Sequence, residues 1–108
     1  MQVNFIKLVH FTRLIKAGGR LREFNLRKLR GQDPETFTVD TVDDRGNRIL
    51  FRMQKNAGSQ WAILPQMLPK WIPESEHLLH EAIEDELQHP SWSPDLLFFP
   101  GKVFILQA

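Results

Sequence analysis

Apolar and polar residues alternate through the middle of the chain, in the pattern typical of a half-buried β-strand. The segments 36–43 and 47–55 are joined by the turn sequence DDRG at 43–46, where an Asp opens the turn and a Gly closes it. A second turn sequence, KNAG, leads into an alternating segment at 59–64, with its glycine as the expected residue of positive φ. We therefore predict a three-stranded antiparallel meander over these segments.

The two predicted hairpins can be tested against each other through their registers. If each turn closes a three-residue loop, Val39 faces Phe51 in the first hairpin and Met53 faces Trp61 in the second. Both registers gather the same large side chains on one face of the sheet, namely Phe37, Val39, Ile49, Phe51, Met53, Trp61 and Ile63. A slip of one residue in either hairpin would scatter them over both faces. This face is the predicted core.

Two further segments upstream resemble strands. Over 20–29, Phe24 and Leu26 share one face with two cations, and two leucines share the other face with polar residues, so either face can be the buried one. Apolar residues over 3–16 fit alternation only partly. We predict one strand or two short strands there, ending at the glycine pair 18–19, and a helix remains the alternative.

A helix is predicted over 73–88, after three prolines break the chain at 65, 69 and 73. Its apolar stripe consists of Leu78, Leu79, Ala82, Ile83 and Leu87. The apolar tail LLFFPGKVFILQA predicts a short strand over 103–106. The predicted fold is α+β, an antiparallel meander of four to five strands packed against one C-terminal helix, with the tail on an edge, in a single domain spanning 1–108.

The composition fits a small globular protein. The chain has 108 residues, of which 42% are hydrophobic and 25% are charged. It contains no cysteine, which excludes disulfides and thiolate metal sites and favours a reducing compartment. The N-terminus lacks the features of a secretion signal, and no apolar stretch approaches the roughly 20 residues that span a bilayer. The expected location is the cytoplasm.

The net charge is only +1, but the charges lie in blocks. Residues 1–31 hold eight Lys or Arg against one acid, and residues 74–101 hold seven acids and no Lys or Arg. Such blocks form either a basic and an acidic binding face or neighbouring segments that neutralise each other. A net charge near zero favours the second interpretation.

The basic segment RLREFNLRKLR is the candidate nucleic-acid site, since phosphates bind Lys and Arg. Its candidate contacts are Arg20, Arg22, Arg27, Lys28 and Arg30. The meander argues against an extended site, because its aromatic residues point to the core and leave no stacking platform. On its second face Asp40 lies diagonally from Arg48 and Arg52, so the sheet can neutralise its own charges.

The second face of the meander is more apolar than full solvation requires. It contains Val42, Leu50, Ala62 and Leu64, among which Leu50 and Leu64 are the candidate apolar interface. The N-terminal segment, the C-terminal tail or a second copy of the chain could cover it. A homodimer is therefore one hypothesis.

The sequence gives little evidence for a metal site or an enzyme active site. His77, His80 and Glu81 lack the spacing of the HExxH motif, and we expect His77, Glu81 and Glu84 to form a solvated helix face. No nucleophile elbow or glycine-rich phosphate loop is present. We predict no cofactor, no metal and no catalytic residue.

Three tryptophans are candidate contact residues only if they are exposed. Trp61 falls on the predicted core face, and Trp71 and Trp92 lie in proline-rich segments that we expect to be pinned to the core. The leading functional hypothesis is a small non-enzymatic interaction module that self-associates or binds a protein partner. Single-stranded nucleic-acid binding is the alternative, and an enzyme with a site hidden from the sequence is third.

Overall fold

The computed structural model describes residues 9–89 and the two-residue strand 105–106. Its elements in chain order are β1 (His10–Ala17), β2 (Arg20–Lys28), β3 (Thr36–Val42), β4 (Arg48–Lys55), β5 (Trp61–Ile63), a 3-10 turn (Pro73–Ser75), α1 (Glu76–Gln88) and β6 (Ile105–Leu106). The strands form one sheet in the order β5-β4-β3-β2-β1-β6. Strands β1 to β5 are antiparallel neighbours, and α1 packs on the sheet. The α+β prediction is confirmed.

The N-terminal segment is a strand, so the helix alternative is wrong for the described part of 3–16. β1 pairs with β2 along its whole length, from His10 opposite Arg27 to Ala17 opposite Arg20. On its other side β1 pairs in parallel with β6, where Leu14 faces position 105 and Ile15 faces position 106. Residues 3–8 and positions 103 and 104 of the predicted tail strand lie outside the described residues.

The first predicted register is confirmed, and the second is wrong by two residues. Val39 faces Phe51, as expected, but Met53 faces Ile63 instead of Trp61. The loop between β4 and β5 is longer than predicted, because the Asn56 side-chain oxygen accepts hydrogen bonds from the backbone N–H of positions 58 and 60, at 2.9 and 3.0 Å. Ser59, not the glycine before it, adopts positive φ. A shift of two residues preserves the face of every side chain.

One face of the sheet, the inner face, packs against α1 and forms the core. The inner face and α1 contribute buried apolar residues, namely Phe11, Ile15, Ala17, Phe24, Leu26, Phe37, Val39, Phe51, Met53, Trp61, Leu78, Leu79, Ala82 and Ile83. The aromatic rings meet edge to face, with ring centroids of Phe37 and Trp61 5.0 Å apart. The predicted core face and helix stripe are thus buried, although Ile49, Ile63 and Leu87 are only partly so. β2 buries the face that holds Phe24.

Trp71 fixes the segment before α1 to the end of the β1–β2 hairpin. The Arg22 guanidinium carbon lies 3.8 Å from the centroid of the Trp71 ring, and the Phe24 ring meets it edge to face. Gly18, in the hairpin turn, lies so close that an added Cβ would stand 3.0 Å from Trp71 Cβ. The expectation that Trp71 pins a loop to the core is confirmed, and Trp92 lies outside the described residues.

We expect Gly18→Ala to destabilise the protein more than Gly19→Ala. Both glycines have positive φ, at +62° and +79°, so both substitutions incur about 1–2 kcal/mol of backbone strain. Gly18→Ala also forces the Trp71 ring to move, which adds about 1–3 kcal/mol, whereas nothing lies within 4 Å of a Cβ at Gly19. Urea unfolding of both variants measures the difference, and equal losses would contradict the close packing of Trp71.

Candidate interaction surface

The outer face of the sheet, opposite α1, carries the candidate interaction surface. Along each strand the residues of this face alternate with the buried ones, so their positions follow from the registers. The large apolar residues that are most exposed on it are Leu21, Val42 and Leu50, at 50%, 44% and 57% exposure. Leu64 is half-buried.

These four residues form a diagonal line across β2, β3 and β4 to the residue that follows β5, and we call this line the outer-face stripe. Val42 faces Arg48 and Asp40 faces Leu50, so Val42 and Leu50 are diagonal neighbours at a spacing of about 7–8 Å. The Leu64 N–H donates to the Arg52 carbonyl at 2.9 Å, which places Leu64 one diagonal step beyond Leu50.

At its other end the stripe is completed by Leu21, which lines the same groove as Val42. The predicted interface residues Leu50 and Leu64 therefore belong to a longer apolar line. Val42 was expected on this face, whereas Leu21 joins it only because β2 buries Phe24 and its neighbours.

Polar and charged side chains of both signs flank the stripe. Asp40 accepts hydrogen bonds from the Arg48 guanidinium at 2.8 Å and from the Asn25 amide at 2.9 Å. Thr12 donates in turn to the Asn25 side-chain oxygen at 2.7 Å. The expectation that Asp40 neutralises a diagonal arginine is confirmed for Arg48. The sheet thus compensates part of its own charge around Leu50.

Two shallow grooves lie beside these polar side chains, and Asn25 contributes to the walls of both. One has a volume of about 290 Å³ and contains Leu21, Val42 and Arg48 among its walls. The other, of about 270 Å³, contains Arg27 and Leu50. Their shape suits broad contact with a macromolecule better than enclosure of a small molecule, because small-molecule sites bury most of their ligand.

The five cations proposed to bind nucleic acid do not share one face. Arg22 is buried on the inner side, where its Nε donates to the Ala17 carbonyl at 2.8 Å. Arg20 and Arg22 both contact the Asp44 carboxylate, at 2.9 and 3.1 Å, and Lys28 contacts Glu35 at 2.9 Å.

The other two proposed cations remain open to solvent. Arg27 lies on the outer face and Arg30 follows β2, and both are exposed. Of the five, the described structure therefore leaves these two without a carboxylate partner.

Three polar side chains of α1 bind β5, two of them at the backbone N–H groups of its free edge and one at the Trp61 indole. Because the Leu64 N–H faces β4, the N–H groups of Trp61 and Ile63 point away from the sheet. Glu76 accepts the Ile63 N–H at 2.8 Å, and His80 Nδ1 accepts the Trp61 N–H at 3.0 Å. Glu84 accepts the Trp61 indole N–H at 3.4 Å. The prediction that Glu84 belongs to a solvated helix face is wrong, because its carboxylate binds the core tryptophan.

The remaining residues of that predicted face, His77 and Glu81, are exposed as expected. The three residues that bind β5 are spaced four apart, so they lie on one side of α1. That spacing is visible in the sequence, but the strand edge beside it is not.

A buried ion pair joins β1 to the end of α1. Arg13 Nη2 lies 2.9 Å from Glu86 Oε1, and their side chains are only 3% and 2% exposed. The same guanidinium reaches Asp85 at 3.4 Å and lies over the Phe11 ring, 4.8 Å from its centroid. The sequence analysis did not predict this pair. Arg13 shares the alternating positions of the buried apolar residues of β1, so its position in the sequence indicated a cation on the inner face.

Among the residues that the structure describes, two carboxylates have a perturbed pKa, and both lie in turns or loops. The pKa of Asp43 is lowered, chiefly by the hydrogen bond from the Asn47 backbone N–H at 2.8 Å and further by that from Arg45. The pKa of Glu35 is lowered chiefly by its hydrogen bond from Lys28. Since both values fall, each group stabilises the fold above the pKa it has when unfolded, and this stabilisation is lost as the pH drops through the folded value.

No group of three or more potential metal ligands occurs among the residues that the structure describes. In that same part of the chain, no helix combines the length and apolar character that crossing a membrane requires.

Comparison with family models, curated proteins and solved structures finds no match to this chain. The functional argument therefore relies on the geometry of the surface.

We expect Glu86→Gln to destabilise the protein by about 3 kcal/mol, because it removes the charge of the carboxylate that lies nearest to the buried Arg13 guanidinium among the described residues. Arg48→Gln is the matched control, since it removes an ion pair whose arginine side chain is 66% exposed. That loss should stay below about 1 kcal/mol. Urea unfolding at neutral pH compares the variants, and similar losses for both would show that burial does not strengthen the Arg13 contact.

Proposed function

We propose that the protein is a non-enzymatic interaction module that associates with a second copy of itself through the outer face of the sheet. The observation that carries the proposal is the outer-face stripe, an apolar line that runs across β2, β3 and β4 to the end of β5 and that α1 does not cover. A central apolar line with charged flanks has the layout of a protein–protein interface, in which a polar rim surrounds an apolar centre.

The other surfaces of the sheet are already engaged in the described structure. α1 fills the inner face, its side chains bind the outer edge of β5, and β6 pairs with part of β1 at the opposite edge. Partners that add a strand to an edge are therefore less well supported than partners that pack face to face. Two sheets packed in this way stand about 10 Å apart, with their inner side chains interdigitated.

The charges beside the stripe favour a second copy as the partner. In a two-fold contact each surface must complement itself, so the charges that flank an apolar centre pair across the contact only if both signs are present on one patch. The outer face meets this requirement, because exposed Lys16, Arg27 and Arg52 share it with Glu23 and Asp40. A surface selected for a polyanion would instead carry cations alone.

Nucleic-acid binding is the second proposal, now confined to the exposed Arg20, Arg27 and Arg30 of the original five. Support for it comes from Arg27 and Arg30, to which the described residues offer no carboxylate.

The cytoplasm is the location that we propose for either function, on the basis of the cysteine-free sequence.

We expect the wild-type chain to sediment at twice 12.7 kDa as its concentration rises, and Leu50→Glu to weaken that association. Burial of one leucine side chain contributes about 1.5–3 kcal/mol, and a two-fold contact contains Leu50 twice. The dissociation constant should therefore rise at least about 100-fold. Analytical ultracentrifugation over a concentration series measures it.

Ala57→Glu is the matched control, because it adds the same charge at an exposed apolar residue in the β4–β5 loop, away from the stripe. It should leave the association unchanged. A wild-type protein that stays at 12.7 kDa at every concentration contradicts self-association. If that monomer binds labelled single-stranded DNA or RNA, and loses binding when Arg27 and Arg30 are replaced by Ala, the second proposal takes its place.

A further inference from the structure

The contact between α1 and the edge of β5 contains a histidine whose role in a hydrogen bond follows from geometry. His80 Nδ1 lies 3.0 Å from the Trp61 backbone nitrogen, which is a hydrogen-bond donor. Nδ1 must therefore act as the acceptor, and the ring is neutral with its hydrogen on Nε2. This bond satisfies an N–H group that points away from the sheet.

We propose that His80 is a proton-operated latch that holds α1 on the edge of β5. A protonated imidazole has two N–H donors and no acceptor, so it cannot bind the Trp61 N–H. Proton uptake thus turns an attractive contact into two donors facing each other. The latch lies at the free edge of β5 and contains none of the four residues of the outer-face stripe, so its test is separate from that of self-association.

Charged groups around the imidazole come from both packed elements. On α1, the carboxylates of Glu76 and Glu84 lie one turn before and one turn after His80, and Glu81 and His77 are further neighbours. From the sheet, Lys55 faces Trp61 in register, and its Nζ lies 5.8 Å from the indole ring centroid.

Protonation of His80 breaks only the middle one of the three contacts that α1 makes with β5. Ile63 is bound by Glu76, and the Trp61 indole is bound by Glu84, neither of which requires an unprotonated histidine. Leu79 and Ile83 remain buried against the sheet on the other side of the helix. Protonation therefore exposes the Trp61 N–H of β5 and does not unfold the domain.

The latch is tested by nuclear magnetic resonance on the ¹⁵N-labelled full chain between pH 8 and pH 5. The imidazole nitrogen shifts of His80 report its tautomer and its protonation, and amide hydrogen exchange reports protection of Trp61 and Ile63. After correction for the intrinsic pH dependence of exchange, we expect protection at Trp61 to fall about tenfold as His80 takes up its proton. Protection at Ile63 should change much less.

His80→Phe should give a Trp61 amide that is weakly protected at every pH, whereas His77→Phe, at an exposed position of α1, should keep the wild-type pH dependence. Two results on the wild-type protein would overturn the proposal even if His80→Phe fails to fold. One is a neutral His80 with its hydrogen on Nδ1. The other is a Trp61 amide that stays equally protected throughout the titration of His80.

Discussion

Burial of one face of the sheet beneath a single helix is the constraint on which the rest of this structure depends. The α1 helix has 13 residues, and it must cover the inner sides of strands rich in phenylalanine. Its apolar residues fill the centre, but β5 contributes only three residues to the sheet edge beside it. The side chains of Glu76 and His80 therefore complete the contact, by binding backbone N–H groups that a neighbouring strand would otherwise satisfy, and Glu84 binds the Trp61 indole N–H.

The same constraint explains how the charge blocks of the sequence are used. The basic N-terminal block and the acidic helix meet at Arg13 and Glu86, inside the core. Arg22 is also buried, with its guanidinium between Trp71, the Ala17 carbonyl and Asp44. Oppositely charged segments thus become neighbours, as a net charge of +1 suggested. The neutralisation is incomplete, since Arg27 and Arg52 remain exposed on the outer face.

Much of the fold could be predicted because strand alternation and turn chemistry agree over the meander. The β3–β4 register followed from a turn whose Asp43 carboxylate and Gly46 fix the loop length. The β4–β5 register failed because Asn56 stabilises a longer loop and Ser59 adopts positive φ, a choice that composition does not reveal. The edge contacts of His80 were missed for another reason. They depend on which N–H groups β5 leaves unpaired, and that is known only once strand order is known.

The candidate surface was partly visible for the same reasons. Val42, Leu50 and Leu64 could be placed on one face by the meander registers, whereas Leu21 required a decision about β2 that alternation alone left open. Burial of Phe24 and Leu26 turns their face of β2 inward, and Arg22 on the same face then reaches the Trp71 ring. Leu21, on the opposite face, is therefore left in water beside Val42 and completes the outer-face stripe. The packing that closes the inner face is what creates the surface available to a partner on the other side.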